Sequence, residues 1–258
     1  MRFWKISLLF LSAALTLPGR VPADPAADKL LESVGVKGGV VVHLGCGDGK
    51  RTAALHAGDR YLVHGLDTGR EAVRKARAHI DSLGLYGSVS AECYDGSNLP
   101  YGDNVVNLLL IDDASSVHAE EIERVLVPNG VALVKAGSRL LEASGLKKGE
   151  ASDGWTTYAK PWPAEIDHWT HFLYDASGNA VSKDQRVYRP RHLQWYAGPK
   201  RCRHHDALSS LSAMTSTAGR LFYIFDEGST SIMHRPPHWK LIARDAFNGK
   251  LLWKRDVP

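Results

Sequence analysis

Between Asp28 and Lys135 the spacing of apolar residues switches repeatedly between a strand period and a helix period. "GVVVHL" is a continuous apolar strand, and "DGKRTAALHAG" follows as a helix closed by Gly58. "RYLVHGLD" predicts a second strand, and "GREAVRKARAHIDSLGL" an amphipathic helix with Ala72, Val73, Ala76 and Ile80 on one face. "GSVSAECYD" predicts a third strand, with Val89 and Ala91 alternating against polar neighbours. "NVVNLLLIDD" has the unbroken apolarity of a strand covered on both faces. "HAEEIERVLVPNG" predicts a helix stopped by Pro128, and "VALVKAG" a fifth strand. Strands alternating with helices imply a parallel sheet that takes ligands at the carboxyl ends of its strands.

After Lys135 the grammar changes. "SRLLEASGLKKGEASDGWTTYAKPWP" predicts a last helix and edge strand of the same unit, and "PWPAEIDHWTHFLYDASGNAVS" marks a boundary near Pro161 to Pro163. Beyond it, "GRLFYIFDEG" reads as one strand, and "WKLIARDAFNGKLLWKRDVP" as two strands around an Asn248-Gly249 hairpin. The chain therefore divides into 1–23, 28–160 and 161–258.

Residues 1–23 have the layout of a signal peptide. Arg2 and Lys5 precede the apolar "ISLLFLSAALTL", and "VPA" allows cleavage before Asp24. The apolar run is shorter than the roughly 20 residues a bilayer span requires. A secreted or periplasmic protein with no membrane span after cleavage is expected. The composition, 44% hydrophobic and 23% charged, is that of an ordinary globular chain. The formal charge, 32 − 28 = +4, gives no nucleic-acid footprint, and the basic run Arg189–His205 is assigned to a solvated face. Cys46, Cys93 and Cys202 are scattered and make no disulfide framework, and Cys46 is read as a small space-filler.

The candidate chemistry starts at "GCGDG". A strand bent sharply into a helix leaves backbone N–H groups unpaired, and glycines let a ligand approach them. The spacing G-x-G-x-G is not the G-x-G-x-x-G of a dinucleotide turn, and no Lys-Ser/Thr pair follows as in a Walker loop. Asp67 ends the second strand 22 residues after Gly45, where a carboxylate can accept ribose hydroxyls.

"VVHLGCGDGKRT", "LVHGLDTGREAVRKAR", "CYDGSNLPYGDN" and "EEIERVLVPNGVALV" resemble, in order, the motifs of class I S-adenosylmethionine-dependent methyltransferases. The resemblance implies a Rossmann-like α/β domain that binds S-adenosylmethionine. It implies further that Gly45, Gly47 and Gly49 face the methionine and ribose, with His43 and Cys46 as further cofactor-binding positions beside them. Asp67 would bind the ribose, and Asp95 the adenine amino group with Gly96 beside it. Asp112 and Asp113 would face the transferable methyl and the acceptor, as catalytic candidates. Two positions depart from the family: His43 stands where an acid is usual, and Asn107 where Asp is common at the start of strand four.

The all-β segment resembles the first blade of a pyrroloquinoline-quinone-type β-propeller through Gly219, Leu221, Tyr223, Ala243, Asp245, Gly249, Leu252 and Trp253. Propellers use about 4 to 8 blades. One blade implies a chain whose remaining blades lie C-terminally, an architecture that resembles large secreted planctomycete proteins. Pyrroloquinoline quinone itself is not expected in these residues. "DHWTH" and "RHHD" hold ligand-type histidines, but without an HExxH helix, so no metal is assigned.

The expected function is methyl transfer to an unidentified small-molecule or surface-polymer acceptor. The alternative is a non-catalytic binding or scaffold protein, or part of a quinone-dependent propeller protein, with a vestigial methyltransferase domain.

Overall fold

A computed structural model describes residues 25–113, 117–186, 192–198, 210–229 and 235–258. The expected signal peptide, Cys202, His204, His205, Asp206 and His234 lie outside the described residues.

Helix α1 (Pro25–Ser33) leads into strand β1 (Gly39–Leu44), short helix α2 (Lys50–Ala54), β2 (Tyr61–Asp67), α3 (Arg70–Ser82) and β3 (Val89–Cys93). Then come β4 (Val106–Ile111), α4 (Ala119–Val125), β5 (Leu126–Lys135) and a hairpin of β6 (Lys147–Ser152) and β7 (Trp155–Ala159). These strands form one sheet in the order β3-β2-β1-β4-β5-β7-β6. The first five are parallel, and the hairpin adds antiparallel through β7.

The two-residue period explains why the sheet is buried on both sides. Val40, Val42 and Leu44 of β1, with Leu109 and Ile111 of β4, pack on one face against Ile122 and Val125 of α4. Val41, Leu108 and Leu110 point the opposite way, against Leu31 of α1 and Val73, Ala76 and Ile80 of α3. Each such side chain removed from water contributes on the order of 1.5–3 kcal/mol. His43 falls among the inward positions of β1 and is 1% exposed.

Two expectations need correction. Helix α4 ends at Val125, and β5 begins irregularly, with Asn129 at φ 63, before Val131 pairs with Leu108. The β-branched Val127 and the proline oppose helix there, and Asn104 and Val105 take the carbonyls of Arg124 and Val125. The expected last helix near Leu140 is a series of turns, and both β6 and β7 are strands. Helix α1 lacked a clear signal and was not anticipated.

The second sheet comprises β8 (Leu211–Thr217), β9 (Arg220–Asp226), β10 (Trp239–Asp245) and β11 (Leu251–Asp256). All its neighbours are antiparallel, in the order β11-β10-β9-β8, which is a four-stranded meander. Strand β8 was not anticipated, because its sequence is mostly small and hydroxyl-bearing.

Asn107 joins the two sheets. Its Oδ1 accepts from the Val40 amide at 2.8 Å and from Asn248 Nδ2 at 2.7 Å. Its Nδ2 donates to Asp245 Oδ2 at 2.7 Å. Asn248 Nδ2 also reaches the Val105 carbonyl, and Asp245 Oδ1 holds the turn through the Phe247 and Asn248 amides. Glycine is required at position 39, where a Cβ would lie 2.0 Å from Asn107 Oδ1. An ionised aspartate at 107 could not donate to Asp245, so this junction between the sheets requires an amide there.

Candidate functional site

Strand order reverses between β1 and β4, whose carboxyl ends flank the crevice where such sheets take ligands. Gly45 follows β1, Asp67 ends β2, Asp95 follows β3, and Asp112 and Asp113 follow β4. One edge of the sheet thus carries all the predicted site residues.

The turn is tied more tightly than its sequence suggests. The Gly45 and Cys46 amides donate to the Leu66 carbonyl, Gly49 to the Cys46 carbonyl, and Lys50 to Asp48 Oδ1. Those donors are satisfied within the protein rather than left for a ligand. The three glycines also have different roles, though all have positive φ. A Cβ on Gly45 would lie 2.8 Å from the Asp113 nitrogen, and one on Gly49 2.7 Å from Ala76 Cα. At Gly47 a Cβ would meet nothing within 4 Å. Gly45 and Gly49 are therefore packing glycines, and Gly47 alone of the three faces open space.

Asp67 closes across this bend. Its Oδ2 accepts from the Gly47 amide at 3.0 Å and its Oδ1 from the Gly69 amide at 2.9 Å. An ionised carboxylate has about four lone-pair sites. Two remain beside the open backbone of Gly47, the requirement for gripping a pair of vicinal hydroxyls.

Asp95 sits in its own loop. Its Oδ1 accepts from the Ser97 and Asn98 amides, and its Oδ2 from Asn98 Nδ2, contacts that hold its pKa below the usual carboxylate value. Gly96 beside it is buried with φ 89. The loop is clamped to α4: Glu121 Oε1 accepts from the Leu99 amide, while Arg124 donates to the Tyr101 carbonyl and Asp103. Tyr94, which the sequence reading missed, stands among these groups. Burial, and then the carboxylates of Asp113, Asp67 and Asp95, push its phenol above the ordinary value. An aromatic residue directly before Asp95 was the available signal.

Asp112 is bound into a cluster. Its Oδ2 faces His43 Nε2 at 2.9 Å and accepts from Arg51 at 2.5 Å, and Lys135 Nζ lies 3.5 Å from its Oδ1. His43 Nδ1 meets the Thr52 hydroxyl at 2.9 Å, so the imidazole is held at both nitrogens. Burial alone would raise the Asp112 pKa, but hydrogen bonds from His43 and Arg51, with their charge, bring it down to about 2. A carboxylate so firmly ionised is a weak proton acceptor near neutrality. Asp112 thus holds Arg51 and His43 in place at the carboxyl edge of the sheet. Asp113, exposed beside it, shares with Asp112, Lys135 and Ser138 a cavity of about 400 Å³. Arg51 also stacks over the Trp155 ring at 5.6 Å. Arg51, Lys135 and Trp155 were not foreseen, since each is unremarkable until the sheet brings them to one edge.

Cys46 is 3% exposed, and burial pushes its thiol up to about 12. It fills space beneath Gly65, where a Cβ would lie 2.8 Å from it. Among the described residues there is no group of three or more metal-ligating side chains, and no helix is long and apolar enough to cross a membrane.

Residues 41–130 match the family described as a methyltransferase domain. No curated protein is significantly similar to the chain. Solved structures of similar fold include an S-adenosylmethionine-dependent methyltransferase from Aquifex aeolicus, 22% identical with a TM-score of 0.43, over 53% of this chain and 93% of that one. The [4+2]-cyclase SpnF is 18% identical with a TM-score of 0.46, over 54% of this chain and 81% of that one. A geranyl diphosphate methyltransferase in complex with S-adenosylmethionine is 19% identical with a TM-score of 0.37, over 42% and 46%.

Proposed function

We propose that the crevice at the carboxyl edge of the first sheet binds S-adenosylmethionine, and that the protein transfers its methyl group to a small-molecule or surface-polymer acceptor. The observation that carries this reading is the Asp67 carboxylate bonded to the Gly47 amide, with two lone pairs left over beside open backbone. When bound, S-adenosylmethionine supplies an electrophilic methyl on a sulfonium. Asp67 takes the ribose hydroxyls, and the Asp95 loop, braced by Glu121 and Arg124, borders the adenine. The cavity beside Asp113 receives the acceptor. Transfer rests mainly on positioning two reactants in line, and Asp113 is the carboxylate placed to take the acceptor's proton. Residues 1–23 direct export, and the four-stranded meander is a propeller-type blade, with Trp253 following its hairpin.

Calorimetric titration with S-adenosylhomocysteine tests the binding step. Micromolar affinity in the native chain, lost by at least about tenfold in Asp67→Ala, is expected for a charge-assisted pair of hydrogen bonds. Absence of heat, or equal affinity in the variant, would remove the reading.

A further inference from the structure

A second cavity, of about 380 Å³, lies at the opposite edge of the first sheet, where the four-stranded sheet docks. Its walls come from both units. Lys37 and Arg60 precede β1 and β2, Asn129 belongs to the irregular start of β5, and Arg220, Leu252 and Trp253 come from the second sheet. The volume lies within the roughly 300–1,000 Å³ of small-ligand sites.

Its electrostatics are one-sided. Lys37, Arg60 and Arg220 are exposed, and none makes an ion pair among the described residues. The Arg60 guanidinium lies over the Tyr61 ring at 5.8 Å, and Arg220 reaches no acceptor nearer than the Ala218 carbonyl at 3.5 Å. The carboxylate in the cavity wall, Asp245, is 7% exposed and already accepts from Asn107, Phe247 and Asn248. Three cations with no ion pair among the described residues therefore line a concave space against the single carboxylate of Asp245, an excess of positive charge. Trp253, 37% exposed, lines the same cavity with Arg255 over its ring at 5.2 Å and Phe222 at 6.1 Å, which leaves the rest of the indole to a ligand, and the exposed Asn129 amide is a hydrogen-bonding group in the lining.

We infer that this cleft between the two sheets is a binding site for an acidic saccharide of one or two rings. Its carboxylate or sulfate is held by Lys37, Arg60 and Arg220, and its ring lies against Trp253. Guanidinium groups are suited to such oxyanions because their fork donates two parallel hydrogen bonds. An indole covers the apolar face of a ring while leaving its hydroxyls to amide groups such as Asn129. Asp28 and Glu32 face the neighbouring cavity that shares Lys37 and Arg60. They set the limit beyond which an anionic group is repelled.

The test is calorimetry on the full chain with three probes: a chondroitin sulfate disaccharide, neutral N-acetyllactosamine, and inorganic sulfate. The charged disaccharide is expected to bind at least about tenfold tighter than either other probe, the worth of one charge-assisted hydrogen bond. Arg60→Gln and Arg220→Gln should each weaken it by a similar factor, and Trp253→Ala should weaken it and abolish its quenching of tryptophan fluorescence. Lys147→Gln, an equal loss of charge on exposed β6, should leave affinity unchanged. Equal binding of the neutral disaccharide, equal binding of sulfate alone, no binding at millimolar concentration, or insensitivity to both arginine variants would each overturn the assignment.

Discussion

Asn107→Asp changes one heavy atom, yet it should destabilise this protein. Asn107 Nδ2 donates to Asp245 Oδ2 at 2.7 Å, and Asp245 is 7% exposed. The substitution removes a hydrogen bond to a charged acceptor, worth about 1.5–3 kcal/mol. It also sets two carboxylates within about 4 Å, a repulsion of about 4 kcal/mol at an effective dielectric constant of about 20. Small movements relieve part of this, so a net cost of roughly 3–5 kcal/mol is expected, as when a buried pair loses one partner. For a chain of this size that lowers Tm by roughly 10 °C. Urea and thermal unfolding at pH 7 and pH 4 measure it. Like charges raise a carboxyl pKa, so one of the pair should be protonated on acidification and the deficit should shrink. A variant within about 2 °C of the native chain at pH 7, or a deficit unchanged by acid, would refute the idea that Asn107 joins the sheets.

Other perturbations separate fold from site. Gly49→Ala drives a Cβ to 2.7 Å from Ala76 Cα and should cost roughly 2–4 kcal/mol by urea titration. Gly47→Ala meets no atom and should cost only about 1–2 kcal/mol for its left-handed backbone, while weakening S-adenosylhomocysteine binding. Equal losses of stability in the two would contradict their different roles. Asp112, held at about 2 in the folded chain against an ordinary 3.8, stabilises the fold fully above pH 4, and that contribution disappears as pH falls toward 2. Over that interval the native chain should lose about 2 kcal/mol that Asp112→Asn does not lose; parallel acid profiles would contradict the cluster. A thiol reagent at pH 8 should label exposed Cys93 and leave Cys46 unmodified in the folded protein. Labelling of both at one rate would show that the core beneath Gly65 opens readily.

The parallel sheet was legible because each of its strands has its own signature. "VVVHL" and "VNLLLI" are apolar without interruption because helices cover both faces. "REAVRKARAHIDS" keeps Val73, Ala76 and Ile80 at helical spacing for the same reason. The place of Asp67 at the end of β2, across from the glycine turn, was legible from its distance beyond that turn. The part that could not be read was set by contacts between distant segments. Nothing local to Arg51, Lys135 or His43 announces that they meet at Asp112. Gly45 and Gly49 looked like ligand-facing glycines, and only the approach of Asp113 and Ala76 shows that they accommodate packing. Asn107 looked like a weakened motif position, and its purpose appears only when Asp245 and Asn248, some 140 residues on, lie beside it.

The most direct measurement is a crystal structure of the protein grown with S-adenosylhomocysteine. The nucleoside should lie over Gly47 with both ribose hydroxyls about 2.6–3.0 Å from the Asp67 carboxylate oxygens, and the Gly47 amide still bonded to Asp67. Density for the ligand elsewhere on the chain, or a crevice filled by Tyr94 with Asp67 turned away, would contradict it.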